Sequence, residues 1–377
     1  MSYLFCFGPS GSGKSRYLRQ LVIQKAQASL AGQDRTRYIF LVPEQYTMQT
    51  QRELVLDHPA HVLMNIDVLS FGRLAYRVFA ETGVDRRTVL DDIGKSLLLR
   101  RAASRCAQDL QILKRGIRSP GMIDEVKSVL SEFMQYGVEP EEIDGMADYA
   151  AEHGHYALQA RLRDLQTLYK EFENEKKDRF MTGEETLPLL ESAIPESASL
   201  RNSVIVFDGF TGFTALQYRV VMALLRCAKE VVFSLTISND QGPAVERTAE
   251  GGPAGGEEDL FYLTRKTVFD IVQMAKKENL NKTRDLYLPS SPVDLKTQLL
   301  PRYGKNRVLA HLEHSLFRYP EEPFRETFSG ETSQGLRLFS ASTPQEEVRQ
   351  ILGGIQEMIT RTGCAYRDFA IVTADLE

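Results

Sequence analysis

The sequence predicts a parallel α/β fold that is interrupted by an all-helical insert and followed by the start of a second α/β unit. Three observations carry that expectation. Short apolar runs alternate with stretches of helical spacing toward both ends of the chain, while residues 85–193 keep helical spacing throughout. The glycine-rich string Gly8-Pro-Ser-Gly-Ser-Gly-Lys-Ser15 stands between the first apolar run and the first helical stretch. Strand, loop and helix in repetition describe a parallel sheet with crossover helices.

The elements follow in order. Tyr3–Phe7 is a buried-strand candidate, and 15–28 has helical spacing through Tyr17, Leu18, Leu21, Val22 and Ala26. A second strand is expected over Tyr38–Val42, with a helix after Pro43 reaching about Leu56; a third spans Ile66–Phe71, followed by a helix over Leu74–Ala80. Within the insert, apolar residues recur at three and four, as in Ile123, Val126, Leu130 and Phe133, then Leu158, Leu162, Leu165, Leu168 and Phe172. The sheet resumes with Val204–Phe207 and Val231–Leu235 flanking a helix over Ala215–Cys227. A Gly/Pro/Glu-rich stretch at 240–259 buries no face and reads as a mobile loop. A strand over Leu336–Ala341, a helix over Pro344–Thr362 and a strand over Phe369–Thr373 open the last unit. Two strands and one helix make no stable core by themselves, so the sequence reads as a fragment of a longer chain.

Composition narrows the class. With 377 residues, two or three globular units are expected, and 42% hydrophobic with 26% charged residues is the balance of a folded soluble protein. No apolar run reaches the roughly 18 residues a membrane span needs, so no membrane partner is expected. The apolar N-terminus stops at Gly8, too short for a secretory signal. Cys6, Cys106, Cys227 and Cys364 lack metal-ligand spacing and read as reduced, mostly buried thiols of a cytoplasmic protein. The net charge of −5 neither announces nor excludes a nucleic-acid partner, because phosphate contacts need a local groove rather than a basic average.

The string Gly8–Ser15 fits the phosphate-binding pattern G-x4-G-K-[ST]. Backbone N–H groups of Gly8, Pro9, Ser10, Gly11, Ser12 and Gly13 (proline excepted) would wrap phosphate oxygens of ATP. Lys14 would reach the terminal phosphates, and Ser15 would ligate magnesium. Hydrolysis needs a second strand ending in an acidic residue, usually followed by a glutamate that positions water. Asp208, after Val204–Phe207, is the candidate magnesium contact, but Gly209 stands where the glutamate is expected. ATP binding is therefore expected without fast hydrolysis. A glycine turn with a surface lysine, and an aspartate capping the next turn, are the plainer readings of the same residues.

Four further strings carry a family resemblance: Phe40-Leu-Val-Pro-Glu-Gln-Tyr-Thr47, Val68-Leu-Ser-Phe-Gly-Arg-Leu-Ala-Tyr76, Val206-Phe-Asp-Gly-Phe-Thr-Gly-Phe-Thr214 and Phe339-Ser-Ala-Ser-Thr-Pro-Gln-Glu-Glu-Val348. In this order behind Gly8–Ser15, they resemble AddB, the B subunit of the bacterial AddAB helicase–nuclease that processes double-strand breaks for recombination. The resemblance implies a superfamily 1 helicase-like layout. A RecA-like P-loop domain would be split over residues 1–84 and 196–330, with a helical insert at 85–195 and a second RecA-like domain starting within 335–377. It implies a degenerate helicase core with weak or no activity of its own, and a catalytic helicase–nuclease A subunit as heterodimeric partner. A nuclease domain with a four-cysteine iron–sulfur cluster is expected beyond Glu377.

The resemblance also implies binding of single-stranded DNA at broken ends and recognition of the regulatory sequence Chi. It places the contacts on Gln45, Thr47, Phe71, Arg73, Tyr76 and Phe210; Tyr76 stands where some relatives carry tryptophan. The residue chemistry agrees, because loops after parallel strands emerge at the carboxyl edge, where such folds bind ligands. Glutamine and arginine pair with base edges, and aromatic faces stack on unpaired bases. The plainer readings are core packing for Phe71 and Phe210, an ion pair for Arg73, and turn closure for Gln45 and Thr47. In the insert, Lys114, Arg115, Arg118, Lys176 and Lys177 read as a solvated face rather than a duplex contact. Two other functions compete: a free-standing small-molecule kinase, and a scaffold with a vestigial P-loop.

Overall fold

The computed structural model describes residues 1–32, 34–84, 87–117, 119–177, 179–238, 256–289, 300–303, 306–319, 323–324 and 336–373. The chain forms two compact units, residues 1–304 and 305–377. Most of the expected 240–259 loop lies outside the described residues.

The first unit is built on a parallel sheet. β1 (Ser2–Gly8) runs through the glycine loop into α1 (Lys14–Ala31). Then come β2 (Arg37–Leu41), α2 (Thr47–Asp57), β3 (Ile66–Leu69) and α3 (Phe71–Thr82). Chain order continues through the insert with β4 (Thr88–Val89), α4 (Asp92–Cys106), α5 (Pro120–Tyr136), α6 (Ile143–Glu152), α7 (Tyr156–Lys176), β5 (Phe180–Met181), α8 (Thr186–Ala193) and α9 (Ala198–Arg201). The sheet returns with β6 (Ser203–Phe207), α10 (Ala215–Cys227), β7 (Glu230–Thr236), α11 (Tyr262–Lys277), β8 (Asn281–Lys282) and β9 (Leu286–Tyr287). Strand order is β3-β2-β6-β7-β1-β8, with β9 also paired to β1. Every pairing is parallel.

The strands read as unbroken apolar runs because helices cover both faces of the sheet. Phe5, Phe7, Ile39, Leu41, Ile205, Phe207 and Phe233 pack against α3, α8, α10 and α11. Leu4, Cys6, Tyr38, Phe40, Val204 and Val206 face α1 and α2 on the other side. Successive residues of a strand serve opposite faces, so each core takes alternate side chains.

The insert has its own core, from Leu98, Leu99 and Ala102 to Leu168, Tyr169 and Phe172. Its turn at Leu113 is fixed by Asp164, which is 2% exposed and accepts from the backbone N–H groups of Gln111, Ile112 and Leu113 at 2.8, 2.7 and 2.8 Å. The expectation of helix alone is corrected by β4 and β5, which pair in parallel as Thr88↔Phe180 and Val89↔Met181. Strands of two residues have no period to read in sequence. Lys176 is a second correction, because it is buried between Glu173 at 2.6 Å and Glu185 at 3.0 Å rather than solvated. Arg118 lies outside the described residues.

The second unit contains α12 (Arg307–Ser315) and α13 (Pro344–Thr362). Thr343 caps α13 by accepting from the Glu346 N–H at 3.2 Å, and Gly363 ends it in a left-handed turn. The strands expected over 336–341 and 369–373 do not form. A strand exists only as part of a hydrogen-bonded ladder, and these segments have no ladder partner among the described residues; Leu338 is 99% and Val372 94% exposed.

Candidate functional site at the carboxyl edge of the sheet

The glycine loop leaves β1 at the carboxyl edge and enters α1 directly. Gly13 caps α1 with φ 88°, a left-handed conformation that side chains resist, and the helix offers its first N–H groups to the same space. A helix N-terminus of this kind favours an anion. Lys14 is buried, and its ammonium donates to the carbonyl oxygens of Gly8 at 2.8 Å and Pro9 at 3.0 Å. Residues 300–303 lie against the loop: the Arg302 N–H donates to the Gly11 carbonyl at 3.2 Å, and the Tyr303 hydroxyl donates to the Ser10 carbonyl at 3.5 Å.

A cavity of about 700 Å³ opens over this loop. Ser10, Gly11, Gly13, Lys14 and Ser15 line it, with Asp208 from the end of β6. The Asp208 N–H donates to the Leu41 carbonyl at 3.0 Å, which continues the ladder and holds the carboxylate at the sheet edge. Cations at the wall are Lys14, Arg16, Arg19 and Arg302; the carboxylates are Glu53 and Asp208. Arg19 is tied to Glu53 at 2.7 Å and Asp57 at 2.9 Å. Among the described residues, no group of three or more His, Cys, Asp or Glu is arranged to hold a metal ion. The Ser15 hydroxyl and the Asp208 carboxylate both line the cavity and are of the donor type suited to magnesium, and they would need phosphate oxygens to complete its shell.

Gly209 follows with φ 80°. A side chain here would be strained, and its Cβ would lie 3.5 Å from both Pro43 and the Tyr46 ring. The absence of a glutamate at this position therefore has a backbone cause.

A second cavity, of about 560 Å³, adjoins the first. Glu44, Gln45, Tyr46, Phe71, Phe210 and Gln217 are among its lining residues. Val42, Tyr46, Gly209, Phe210 and Thr211 line both cavities and form their common wall. Ser70 starts α3 by accepting from the Arg73 N–H at 3.3 Å, and Thr214 starts α10 in a reciprocal cap with Gln217, so both helices begin at this cavity.

The sequence candidates separate accordingly. Gln45 is exposed and Phe210 half-buried, and both line the second cavity. Phe71 also reaches it but is 8% exposed and belongs to the core, edge-on to Phe210 at 5.7 Å and Phe213 at 6.4 Å. Thr47 is buried and donates to the Glu44 carbonyl at 2.9 Å, closing the turn into α2. Arg73 pairs with Glu44 at 3.4 Å but is not itself among the lining residues. Tyr76 lies one turn further along α3, 55% exposed and outside the lining. Tyr46, in the wall of both cavities and 45% exposed, is a site residue that the sequence reasoning misses. Its one signal is an aromatic residue directly after Pro43-Glu44-Gln45 at a strand end.

Behind the wall, Thr267 on α11 donates to the Thr211 carbonyl at 3.4 Å, and Phe213 packs on Tyr218 at 5.5 Å. Burial pushes the Tyr218 phenol up to about 12 and also raises the Asp270 carboxyl that it meets. Cys6, beneath the glycine loop, is held protonated by burial, with its thiol raised to about 12. It offers no nucleophile.

Sheet and site define the class: a parallel α/β protein with a glycine loop at the carboxyl edge and an acidic strand end beside it. Within that class, residues 5–313 match the family described as "ADDB, N-terminal". The chain belongs to the AddB family. It is 33% identical over 377 residues to the ATP-dependent helicase/deoxyribonuclease B subunit of Lachnoclostridium phytofermentans, covering 100% of this chain and 31% of that protein. It is 31% identical over 376 residues to the protein of the same description from Bacillus subtilis, covering 99% of this chain and 30% of that protein. The Desulforudis audaxviator counterpart is 31% identical over 379 residues, again covering 100% of this chain and 30% of its own length. The chain thus spans about three tenths of these relatives.

Proposed function

We propose that this chain is the N-terminal, helicase-like region of the B subunit of an ATP-dependent helicase/deoxyribonuclease, in which a nucleotide site and a single-stranded DNA site stand side by side. The observation that carries this reading is the common wall of the two cavities, formed by Tyr46 and residues 209–211. Residues 1–84 and 196–330 act as a split RecA-like P-loop domain around the 85–195 insert, with 335–377 opening a second such domain.

In the larger cavity, Gly8–Ser15 holds ATP phosphates. Lys14 leaves the Gly8 and Pro9 carbonyls for the terminal phosphates, while Ser15 and Asp208 face the magnesium position. Bound nucleotide supplies binding free energy that depends on occupancy. With Gly209 unable to position water, this chain senses nucleotide rather than turning it over rapidly. In the smaller cavity, Gln45, Tyr46 and Phe210 receive unpaired bases, with Arg73 paired to Glu44 nearby. The Phe71 ring supports Phe210, Thr47 fixes the turn that carries Gln45, and Tyr76 extends the surface along α3. Such a constellation suits pausing at a regulatory sequence such as Chi at broken DNA ends, while a catalytic A subunit does the motor work in the cytoplasm.

The test measures nucleotide and single-stranded DNA binding by the full chain, then recognition by the complete heterodimer carrying Gln45→Ala, Phe210→Ala and Arg73→Ala. Binding that weakens with salt, with loss of recognition in the triple variant, is expected. Unaltered recognition would refute the DNA assignment. Phosphoryl transfer to a small molecule without DNA or partner would instead support a kinase. A Lys14→Ala change with no effect on nucleotide binding would leave the loop vestigial.

A further inference from the structure

Resting on the nucleotide reading above, we propose that Arg302 is a ligand of the phosphate chain, held in place by a short strap, residues 300–303, that is seated on the glycine loop. It adds to the nucleotide site a cation from outside the Gly8–Ser15 string.

The strap is fixed to the loop. Leu300 is 1% exposed and its carbonyl accepts from the Tyr303 N–H at 3.0 Å, a tight turn that carries Arg302. The Arg302 N–H donates to the Gly11 carbonyl at 3.2 Å. A side chain at position 11 would put its Cβ 2.8 Å from the Arg302 Cβ and 3.3 Å from the Tyr303 ring, so only glycine lets the strap come this close. Pro301 and Arg302 both line the cavity that opens over the loop. A backbone bond and close packing thus tie Arg302 to the element that receives phosphate.

Its charge is not spent elsewhere. Of the four cations lining the cavity, Arg19 is paired with Glu53 and Asp57, and Lys14 donates to the loop carbonyls. Arg302 is exposed and makes no ion pair among the described residues, which leaves its fork of donors open to a ligand. Arg16 lies on α1 beside Lys14 and Ser15, whereas Arg302 comes from a separate segment of the chain. Several cations around one cavity repel one another, and an anion relieves that repulsion. A guanidinium grips two phosphate oxygens at once, which an ammonium cannot do.

The experiment titrates the full chain with ATP and with inorganic tripolyphosphate, both with magnesium, for wild type, Arg302→Gln and Arg302→Lys. Arg302→Gln should weaken both ligands about tenfold, and Arg302→Lys should recover only part of the loss. Tripolyphosphate affinity should also depend less on salt in Arg302→Gln, because one charge fewer meets the anion; a merely structural role for the side chain would leave that dependence unmoved. The side chain is exposed and the Gly11 contact is made by backbone, so the melting temperature without ligand should not shift. Unchanged affinities in Arg302→Gln would overturn the proposal, and so would a gain, which would make the strap a plug that nucleotide must displace. A loss for ATP with none for tripolyphosphate would move the contact to the nucleoside and overturn it as well. If wild type binds neither ligand, the nucleotide reading itself fails, separately from the choice of residue.

Discussion

The two cavities at the carboxyl edge share a wall and differ in chemistry. The larger has Lys14, Arg16, Arg19 and Arg302, with the carboxylates of Glu53 and Asp208, around a helix N-terminus; the smaller has aromatic rings, amides and, among the described residues, Glu44 as its one charged side chain. In the proposed function the first takes the phosphates and the second a base. The difference teaches that a glycine loop alone does not define an engine. Here, what stands beside the loop is a left-handed glycine at position 209 and a pocket opening from the same turn.

The strongest way to break this comparison is Lys14→Ala. Removing the ammonium takes a charge-assisted hydrogen-bond donor out of a buried site. Nucleotide binding should weaken on the order of 100-fold, and DNA affinity should change less than about twofold. Calorimetry with nucleotide and anisotropy with an oligonucleotide check the two halves separately. Equal losses of both would merge the cavities into one site.

Tyr46→Ala is the next largest change. Its ring serves both cavities, so DNA affinity should fall about tenfold, the scale of one stacking interaction, with a smaller loss of nucleotide affinity. A DNA loss confined to Phe210→Ala, with Tyr46→Ala silent, would place the stacking platform wholly on the loop after β6. A milder effect is expected of Gly209→Ala. At φ 80°, an alanine costs about 1–2 kcal/mol, read as a lowered unfolding midpoint in urea. The variant should shift both affinities, because its Cβ meets Pro43 and Tyr46. Salt gives the smallest and sharpest contrast. Discrimination between bases in the smaller cavity should persist as total affinity declines, since only phosphate contacts release counterions.

Much of this architecture is legible where local signals agree with the fold. The helices Ala215–Cys227 and Pro344–Thr362 have the expected bounds because Thr214 with Gln217, and Thr343 with Gly363, mark their ends in chemistry as well as in periodicity. The strands of the main sheet are legible as apolar runs because both faces are covered. Pairing is less legible. The β4–β5 ladder joins Thr88 to Phe180 across the whole insert, and no local pattern reports a partner so distant. The extended segments at 336–341 and 369–373 show the opposite failure, an apolar pattern without a ladder.

In the site, Gly8–Ser15 is readable because its chemistry lies in its backbone, which glycine spacing encodes. The side chains are not. Phe71 and Phe210 both follow strands, but only packing makes one a core residue and leaves the other half-exposed. Tyr46 gains its place from the left-handed turn at Gly209, 163 positions away in sequence but 3.5 Å from its ring by the Cβ a side chain there would carry.

The common wall is the central claim, and reciprocity tests it most directly. Oligonucleotide affinity is measured with and without saturating non-hydrolysable ATP analogue, and analogue affinity with and without saturating oligonucleotide. Each ligand should change the affinity of the other by the same factor, about fivefold or more, with that factor much reduced in Tyr46→Ala. Two affinities that ignore each other in the wild-type chain would contradict it.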